Sequence, residues 1–287
     1  MTVLNSNGWD RQTRRPSIQV PDGAWDTHFH VYGKGLATTD RTYDPPAAGL
    51  DDILRVHDAL GIARGVVVQP TVYGTDHTQL CEVLRLSRGR FRGIAIVNDS
   101  VCDSSLMELA RSGVCGARFN FLAQLGFAIS QEEFERSTRR IAELGWITVV
   151  HGTAQELMDR ATWLEDVATP VVIDHMAHWD LNLDWQRTPT FDFLRRMLDR
   201  GNFWMKLSNG DRISRAGRDF HDVIPLAQAF IAAAPERVIW GTDWPHILYR
   251  GSVPNDGTLV ELCGHYAANA ATLQRILVSN PEALFGP

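Results

Sequence analysis

The sequence predicts an α/β protein with the architecture of a closed (β/α)8 TIM barrel, for two reasons. Eight short apolar runs rich in Val, Ile and Phe alternate with longer amphipathic segments, which is the pattern of repeated βα units. The 287 residues are enough for one large core, and no Pro- or Ser-rich linker and no block of charge divides the chain. We therefore expect residues 1–287 to form a single barrel domain.

The predicted strands and helices alternate along the chain and end with a pair of helices. Helix starts carry capping residues, as at Ser130, which precedes a run of Gln and Glu. The predicted strands are 24–31, 65–71, 91–97, 115–121, 146–152, 170–176, 203–208 and 237–244. The predicted helices are 51–60, 76–88, 103–112, 131–144, 155–168, 190–200, 219–234, 257–270 and 272–284.

Composition narrows the class of partner. The net charge of -6 is spread without a basic stripe, which argues against nucleic acid and membrane surfaces and favours a small molecule. The four cysteines are widely spaced with no C-x-x-C pair, so we expect a reducing cytoplasm rather than a disulfide framework. The first residues lack an apolar signal region and no stretch reaches membrane-spanning length, so we expect a soluble protein that is not exported. The sequence leaves open whether the protein forms a homo-oligomer.

The most informative motif is the His-x-His of the first predicted strand, in AWDTHFHV. Alternate strand residues project to the same side, so Asp26, His28 and His30 would lie on one face and offer two imidazoles to a single point. Such an arrangement suits a metal ion or a polarised carbonyl. The motif alone is weak evidence, because two strand histidines can also lie half-buried with hydrogen bonds.

The barrel prediction requires that the chemistry lie at the carboxyl ends of the strands. Five of the ten histidines end predicted strands, and an arginine, an aspartate and a polar loop accompany them. Three other histidines, His57, His221 and His265, fall in predicted helices and are expected to be ordinary surface or core-edge residues, and His77 and His178 stay undecided. The residues at strand ends or in the following loops are His28, His30, Arg118, His151, His175, Arg212, Asp243 and His246.

Five motifs in this order resemble the amidohydrolase superfamily, in particular its amidohydrolase-2 group. They are DTHFHV on strand 1, GARFNF on strand 4, IDHM on strand 6, KLSNGDR on strand 7 and WGTDWPH on strand 8. The resemblance covers nearly the whole chain. It implies a distorted (β/α)8 barrel that hydrolyses a cyclic ester or a related bond in a small carboxylated metabolite.

The resemblance implies a role for each matching residue. His28 and His30 correspond to the paired strand-1 ligands, and His175 corresponds to the strand-6 histidine. Asp243 corresponds to the strand-8 aspartate that takes a proton from the attacking water. The residues that resemble the substrate-holding set of the group are Arg118, Arg212, Tyr43 and His246.

Two positions depart from the pattern of the pyrone dicarboxylate lactonases in this group. Gln124 replaces a second arginine and cannot form a charge-assisted pair with a carboxylate, so we expect it to bind a neutral substituent of a lactone with one strongly held anionic group. His151 replaces a tyrosine of those metal-free enzymes, and a histidine there is typical of metal-dependent relatives. The resemblance thus favours one divalent ion, zinc first, held by His28, His30, His151 and Asp243, with a metal-free mechanism left open.

Such a site has a coherent chemistry. Three imidazoles and a carboxylate suit zinc, and an open position would hold a water whose pKa falls to about 7. Asp243 could ligate the ion, accept the proton of the water, or both. His175 would polarise the lactone carbonyl or protonate the departing oxygen, while Arg118 and Arg212 would orient the anionic substrate.

We therefore expect a cytoplasmic lactone hydrolase of aromatic or sugar-acid catabolism. A metal-dependent nonoxidative decarboxylase and a lactone isomerase are the alternatives on the same barrel. A noncatalytic metabolite-binding barrel would be favoured only if the strand-8 acid or the strand-6 histidine were missing. The sequence leaves the partners of two basic residues open. Arg118 could pair with a barrel carboxylate such as Asp26 instead of substrate. Lys206 would need an acidic partner inside the barrel, and the sequence does not show which acid this is.

Overall fold

A computed structural model describes residues 4–5, 8–33, 43–44, 46–122, 129–249 and 251–286. Eight parallel strands form one sheet in the order β8-β7-β6-β5-β4-β3-β2-β1, and each overlaps a predicted strand. The strands are β1 Trp25–Phe29, β2 Arg64–Val68, β3 Phe91–Ile96, β4 Val114–Asn120, β5 Ile147–His151, β6 Val171–Ile173, β7 Phe203–Lys206 and β8 Val238–Ile239. A small separate sheet pairs Leu4–Asn5 with Tyr43–Asp44.

The barrel closes between β1 and the segment that follows β8. Phe29 forms a parallel bridge with Trp244, and the amide of Thr27 donates to the carbonyl oxygen of Trp240 at 3.0 Å. Gly241 permits this close approach, because a Cβ there would lie 2.6 Å from the backbone nitrogen of His28. The predicted (β/α)8 barrel is therefore confirmed.

Helices follow the strands around the outside of the barrel. The predicted helix 155–168 is divided into two, and the last predicted helix contains a π-helical stretch, Arg275–Ser279. None of the described helices is long and apolar enough to cross a membrane. The helices are α1 Leu50–Leu60, α2 Thr78–Leu86, α3 Asp103–Arg111, α4 Gln131–Ala142, α5 Ala154–Asp159, α6 Ala161–Glu165, α7 Pro189–Asp199, α8 Gly210–Ile213, α9 Ile224–Ala233, α10 Asp256–Ala267, α11 Ala270–Gln274 and α12 Asn280–Phe285.

Apolar side chains fill the amino-terminal half of the barrel and leave the carboxyl end for polar groups. Valines and isoleucines from β2, β3, β5, β6 and β8 form this inner cluster with Trp25 and Trp204. Phe285 of α12 belongs to the same cluster and stacks on Trp25, with ring centroids 6.0 Å apart. The open end of the barrel is therefore the carboxyl end.

One expectation about β1 is wrong. Asp26 does not share a face with His28 and His30, because the register of β1 against β2 shifts between Asp26 and Phe29. The Asp26 carboxylate instead lies against α1, with Oδ2 3.1 Å from Nε2 of His57, and accepts hydrogen bonds from Thr242. Asp26 thus anchors the strand rather than facing the barrel interior.

Candidate active site

A cavity of about 190 Å³ opens at the carboxyl end of the barrel. Its wall carries side chains at or just after the ends of β2, β4, β5 and β6. Further side chains come from the loops after β1, β7 and β8. Gln124 lies outside the described residues. The residues predicted for the site that line this cavity are His30, Tyr43, Arg118, His151, His175, Arg212 and Asp243.

The carboxylate of Asp243 is at the centre of the site. Its Oδ1 lies 3.6 Å from Nε2 of His28, 3.4 Å from Nε2 of His30 and 4.0 Å from Nε2 of His175. Its Oδ2 lies 3.5 Å from Nη2 of Arg212. Burial opposes ionisation of Asp243, but His175, the hydrogen bond with His30 and the Arg212 charge outweigh it and hold its pKa well below the usual value. Asp243 is therefore a carboxylate that can accept a proton.

A row of buried charged side chains lies beneath the cavity. It identifies the acidic partner of Arg118 and of Lys206, which the sequence left open. Arg118 donates from Nε to Oδ2 of Asp174 at 2.7 Å, and Lys206 donates from Nζ to Oδ1 of the same carboxylate at 2.8 Å. Burial disfavours the charge on Asp174, yet Lys206, His28 and Arg118 hold its pKa well below the usual value. Asp174, which the sequence did not single out, is thus the acid that pairs with both cations. Arg118 pairs with it while also lining the cavity.

His175 is held as a neutral imidazole whose unprotonated nitrogen is Nε2. Its Nε2 lies 3.4 Å from Nη2 of Arg118, which can only donate, so the ring proton is on Nδ1 and is donated to Oγ of Ser208 at 2.7 Å. Burial is the main cause that lowers the pKa of His175 well below its usual value. His175 can therefore accept a proton at Nε2 before it donates one.

A left-handed turn brings a further histidine into the site. His175, Met176, Ala177 and His178 have consecutive φ values of 55°, 50°, 55° and 44°. This conformation costs non-glycine residues roughly 1–2 kcal/mol each, so the surrounding structure must enforce it. The turn places Nε2 of His178 2.7 Å from Nε2 of His151, and both rings line the cavity. The spacing His-x-x-His in DHMAH is a sequence signal that could have indicated His178 as a second histidine beside His175.

The residues predicted to hold a metal fall into two neighbouring groups. His28, His30 and Asp243 bring one possible ligand atom each within 4.8 Å of one another. His151 belongs instead to a group with His175 and His178, whose possible ligand atoms also lie within 4.8 Å of one another. The structure therefore brings together three of the four predicted ligands and places His151 beside them.

The other predicted substrate residues differ in position. Arg212 lines the cavity, donates to the carbonyl oxygen of Ile247 at 2.9 Å and lies over the ring of Tyr249. Tyr43 also lines the cavity, and burial raises its pKa to about 12, so its hydroxyl keeps its proton.

His246 lies behind the cavity and is not among the described residues that line it. Its Nε2 is 2.9 Å from Oδ1 of Asp256, and both side chains are fully buried. Burial lowers the pKa of His246, but the Asp256 carboxylate outweighs burial and raises it. This hydrogen-bonded pair therefore ties the loop after β8 to the start of α10.

An eight-stranded parallel barrel with histidines and an aspartate at its carboxyl end defines the class of (β/α)8-barrel enzymes. The amidohydrolase family model matches residues 25–286. The chain therefore belongs to the amidohydrolase family, as the motifs indicated.

Relatives with assigned names cover almost the entire chain. A 2-pyrone-4,6-dicarboxylate hydrolase of Comamonas testosteroni is 35% identical over 290 residues, which is 97% of this chain and 95% of that protein. A 4-sulfomuconolactone hydrolase of Hydrogenophaga intermedia is 36% identical over 275 residues, covering 93% and 90%. An apo crystal structure from Agrobacterium tumefaciens has a TM-score of 0.85 at 29% identity and covers 95% of this chain and 98% of its own.

Proposed function

We propose that the cavity binds a small carboxylated lactone and opens it with an activated water molecule. The observation that carries this proposal is the ionised Asp243 carboxylate, placed between histidines and Arg212 in a cavity of suitable size for such a ring. The relatives named as lactone hydrolases support the same reaction. The free state of all four cysteines agrees with the cytoplasmic location that we infer for such a catabolic enzyme.

We also propose that His28, His30 and Asp243 hold one divalent ion, with zinc as the first candidate. His30 donates its Nδ1 proton to the carbonyl oxygen of Val68 at 2.8 Å, which leaves Nε2 free to ligate. Nε2 of His28 is buried and has no hydrogen-bond partner within the described part of the chain, as expected of a ligand atom. Bound zinc would supply an acidic water with a pKa of about 7. His151 would join these ligands only by leaving His178.

The protein's own groups then move the proton and hold the substrate. Asp243 takes a proton from water, and Nε2 of His175, 4.0 Å away, accepts it and returns it to the departing ring oxygen. Arg118 and Arg212 bind the substrate carboxylate and stabilise the charge that develops on the carbonyl oxygen.

An assay against a panel of carboxylated lactones tests the reaction. Hydrolysis releases one equivalent of acid per turnover and keeps every carbon, decarboxylation releases CO₂, and isomerisation releases neither. We expect acid release with a lactone that carries one carboxylate. Protein purified without chelator should contain close to one equivalent of zinc. Full activity after chelation would refute the metal site, and CO₂ release without lactone hydrolysis would refute the hydrolase.

A further inference from the structure

The two histidines of the His-x-His motif carry their ring protons on different nitrogens. Nδ1 of His30 lies 2.8 Å from the carbonyl oxygen of Val68, which can only accept, so His30 carries its proton on Nδ1. Nδ1 of His28 lies 2.9 Å from Nζ of Lys206. An ammonium group has three donors and no acceptor, so Nδ1 of His28 accepts and the proton of the neutral ring lies on Nε2.

Lys206 is fixed in the position that this hydrogen bond requires. Its side chain is 1% exposed, and its second contact is Oδ1 of Asp174 at 2.8 Å, which compensates its charge. Asp174 is also the nearest alternative acceptor for Nδ1 of His28, but it is further away, at 3.4 Å. The choice of side chain is itself informative, because the chain contains 28 basic residues and only Lys34 and Lys206 are lysines. A compact ammonium fits between an imidazole and a carboxylate where a planar guanidinium does not.

We propose that Lys206 is a positioning residue that keeps the proton of His28 on Nε2, so that the Lys206–His28 hydrogen bond and metal ligation by His28 exclude one another. In the metal-free protein the N–H of His28 points towards Oδ1 of Asp243, 3.6 Å away. Metal ligation moves this proton within the ring from Nε2 to Nδ1, where it can be donated to Asp174. The assignment of the proton stands on geometry alone, whereas the competition with metal rests on the proposed metal site.

Nitrogen-15 NMR of the metal-free wild-type protein, labelled at histidine, tests the proton assignment directly. The His28 signals are identified by their loss in His28→Gln. We expect a protonated Nε2 and an unprotonated Nδ1 for His28, and the reverse for His30. A proton on Nδ1 of His28 would overturn the proposal, and this measurement does not depend on any lysine variant or on catalytic activity.

A double-mutant cycle on zinc affinity tests the competition. Lys206→Met removes the donor but also removes a positive charge, which by itself favours a bound cation. The same substitution in the His28→Gln background reports the effect of charge alone. We expect Lys206→Met to tighten zinc binding by about 10-fold more in the wild-type background than in His28→Gln, because a hydrogen bond from a charged donor is lost only there.

The outcomes separate this inference from the proposed function. Equal tightening in both backgrounds would overturn the competition. Zinc binding that is detected in Lys206→Met but not in the wild-type protein would support it, and in that case the metal-free state is the resting state of the enzyme. If no lactone in the panel is hydrolysed, the proposed function fails while the NMR result still decides the role of Lys206.

Discussion

Asp243 combines a strained backbone with the most crowded electrostatic setting in the site. Its φ is 59°, a value that favours glycine, and its carboxylate faces His28, His30, His175 and Arg212. Strain of this kind persists where the surrounding structure enforces it, which is common at functional sites. The strain and the charge together support the proposal that this side chain is the base.

Asp243→Asn preserves the shape of the side chain but removes the base. We expect kcat on the best lactone to fall by roughly 100-fold or more while the fold survives. Steady-state kinetics and a thermal unfolding curve check both parts. Asp180→Asn, at an exposed aspartate, is the control and should leave kcat unchanged. A near-normal kcat in Asp243→Asn would rule out proton transfer by this residue.

The neutral histidines of the site make the folded state sensitive to acid. Burial and the charge of Lys206 lower the pKa of His28 to about 3, and burial and Arg118 lower that of His178 to about 4. Histidine in an unfolded chain has a pKa of about 6.5. Below that pH the unfolded chain therefore binds protons that the folded state refuses, so the free energy of unfolding falls as the pH drops from about 6.5 towards 4.

His178→Gln should remove about one proton from this dependence. Urea unfolding between pH 7 and pH 4 measures it as a smaller slope of unfolding free energy against pH. His221→Gln, at an exposed position, serves as the control. The same slope in wild type and His178→Gln would show that the folded protein protonates His178 as readily as the unfolded chain does.

The strands and the left-handed turn after β6 differ in what the sequence could reveal. The apolar runs predicted all eight strands, and the barrel rule brought His151, His175 and Asp243 to one cavity because carboxyl ends of parallel strands meet there. The turn that carries His178 could not be predicted, since non-glycine residues rarely adopt four consecutive positive φ values. The outward position of Asp26 was missed for a related reason, because an irregular register breaks the alternation of faces.

Another element ends in a conformation that its residue does not favour. Helix α10 ends at Ala267, and the cap residue that follows, Ala268, has a φ of 60° and donates its backbone N–H to the carbonyl oxygen of Gly264. Ala268→Gly should raise the free energy of unfolding by about 0.5–1 kcal/mol, because glycine avoids the left-handed penalty but gains freedom in the unfolded chain. Ala232→Gly, on the exposed face of α9, should lower it by a similar amount. Urea unfolding of both variants checks the contrast, and a destabilised Ala268→Gly would contradict it.

At the scale of the whole molecule, the barrel separates charge from apolar packing along its axis. Arg118, Asp174 and Lys206 form an ion-paired layer directly beneath the cavity. Below this layer the interior is apolar and ends at Trp25 and Phe285. The paired layer lets the upper half hold several charges without exposing them to the apolar interior, where an unpaired charge would be costly.

This separation predicts that a substitution at the apolar end of the barrel can change stability without changing catalysis at the carboxyl end. Phe285 is 7% exposed and stacks on Trp25, so Phe285→Ala should lower the free energy of unfolding by about 3–5 kcal/mol through lost contacts and the cavity left behind. Glu282→Ala, at an exposed site of the same helix, should change it by less than about 0.5 kcal/mol. Because Phe285 and Trp25 lie at the opposite end of the barrel from Asp243, kcat of folded Phe285→Ala should match that of wild type. A reduced kcat at a temperature where this variant is fully folded would show instead that packing at the closed end sets the geometry of the site.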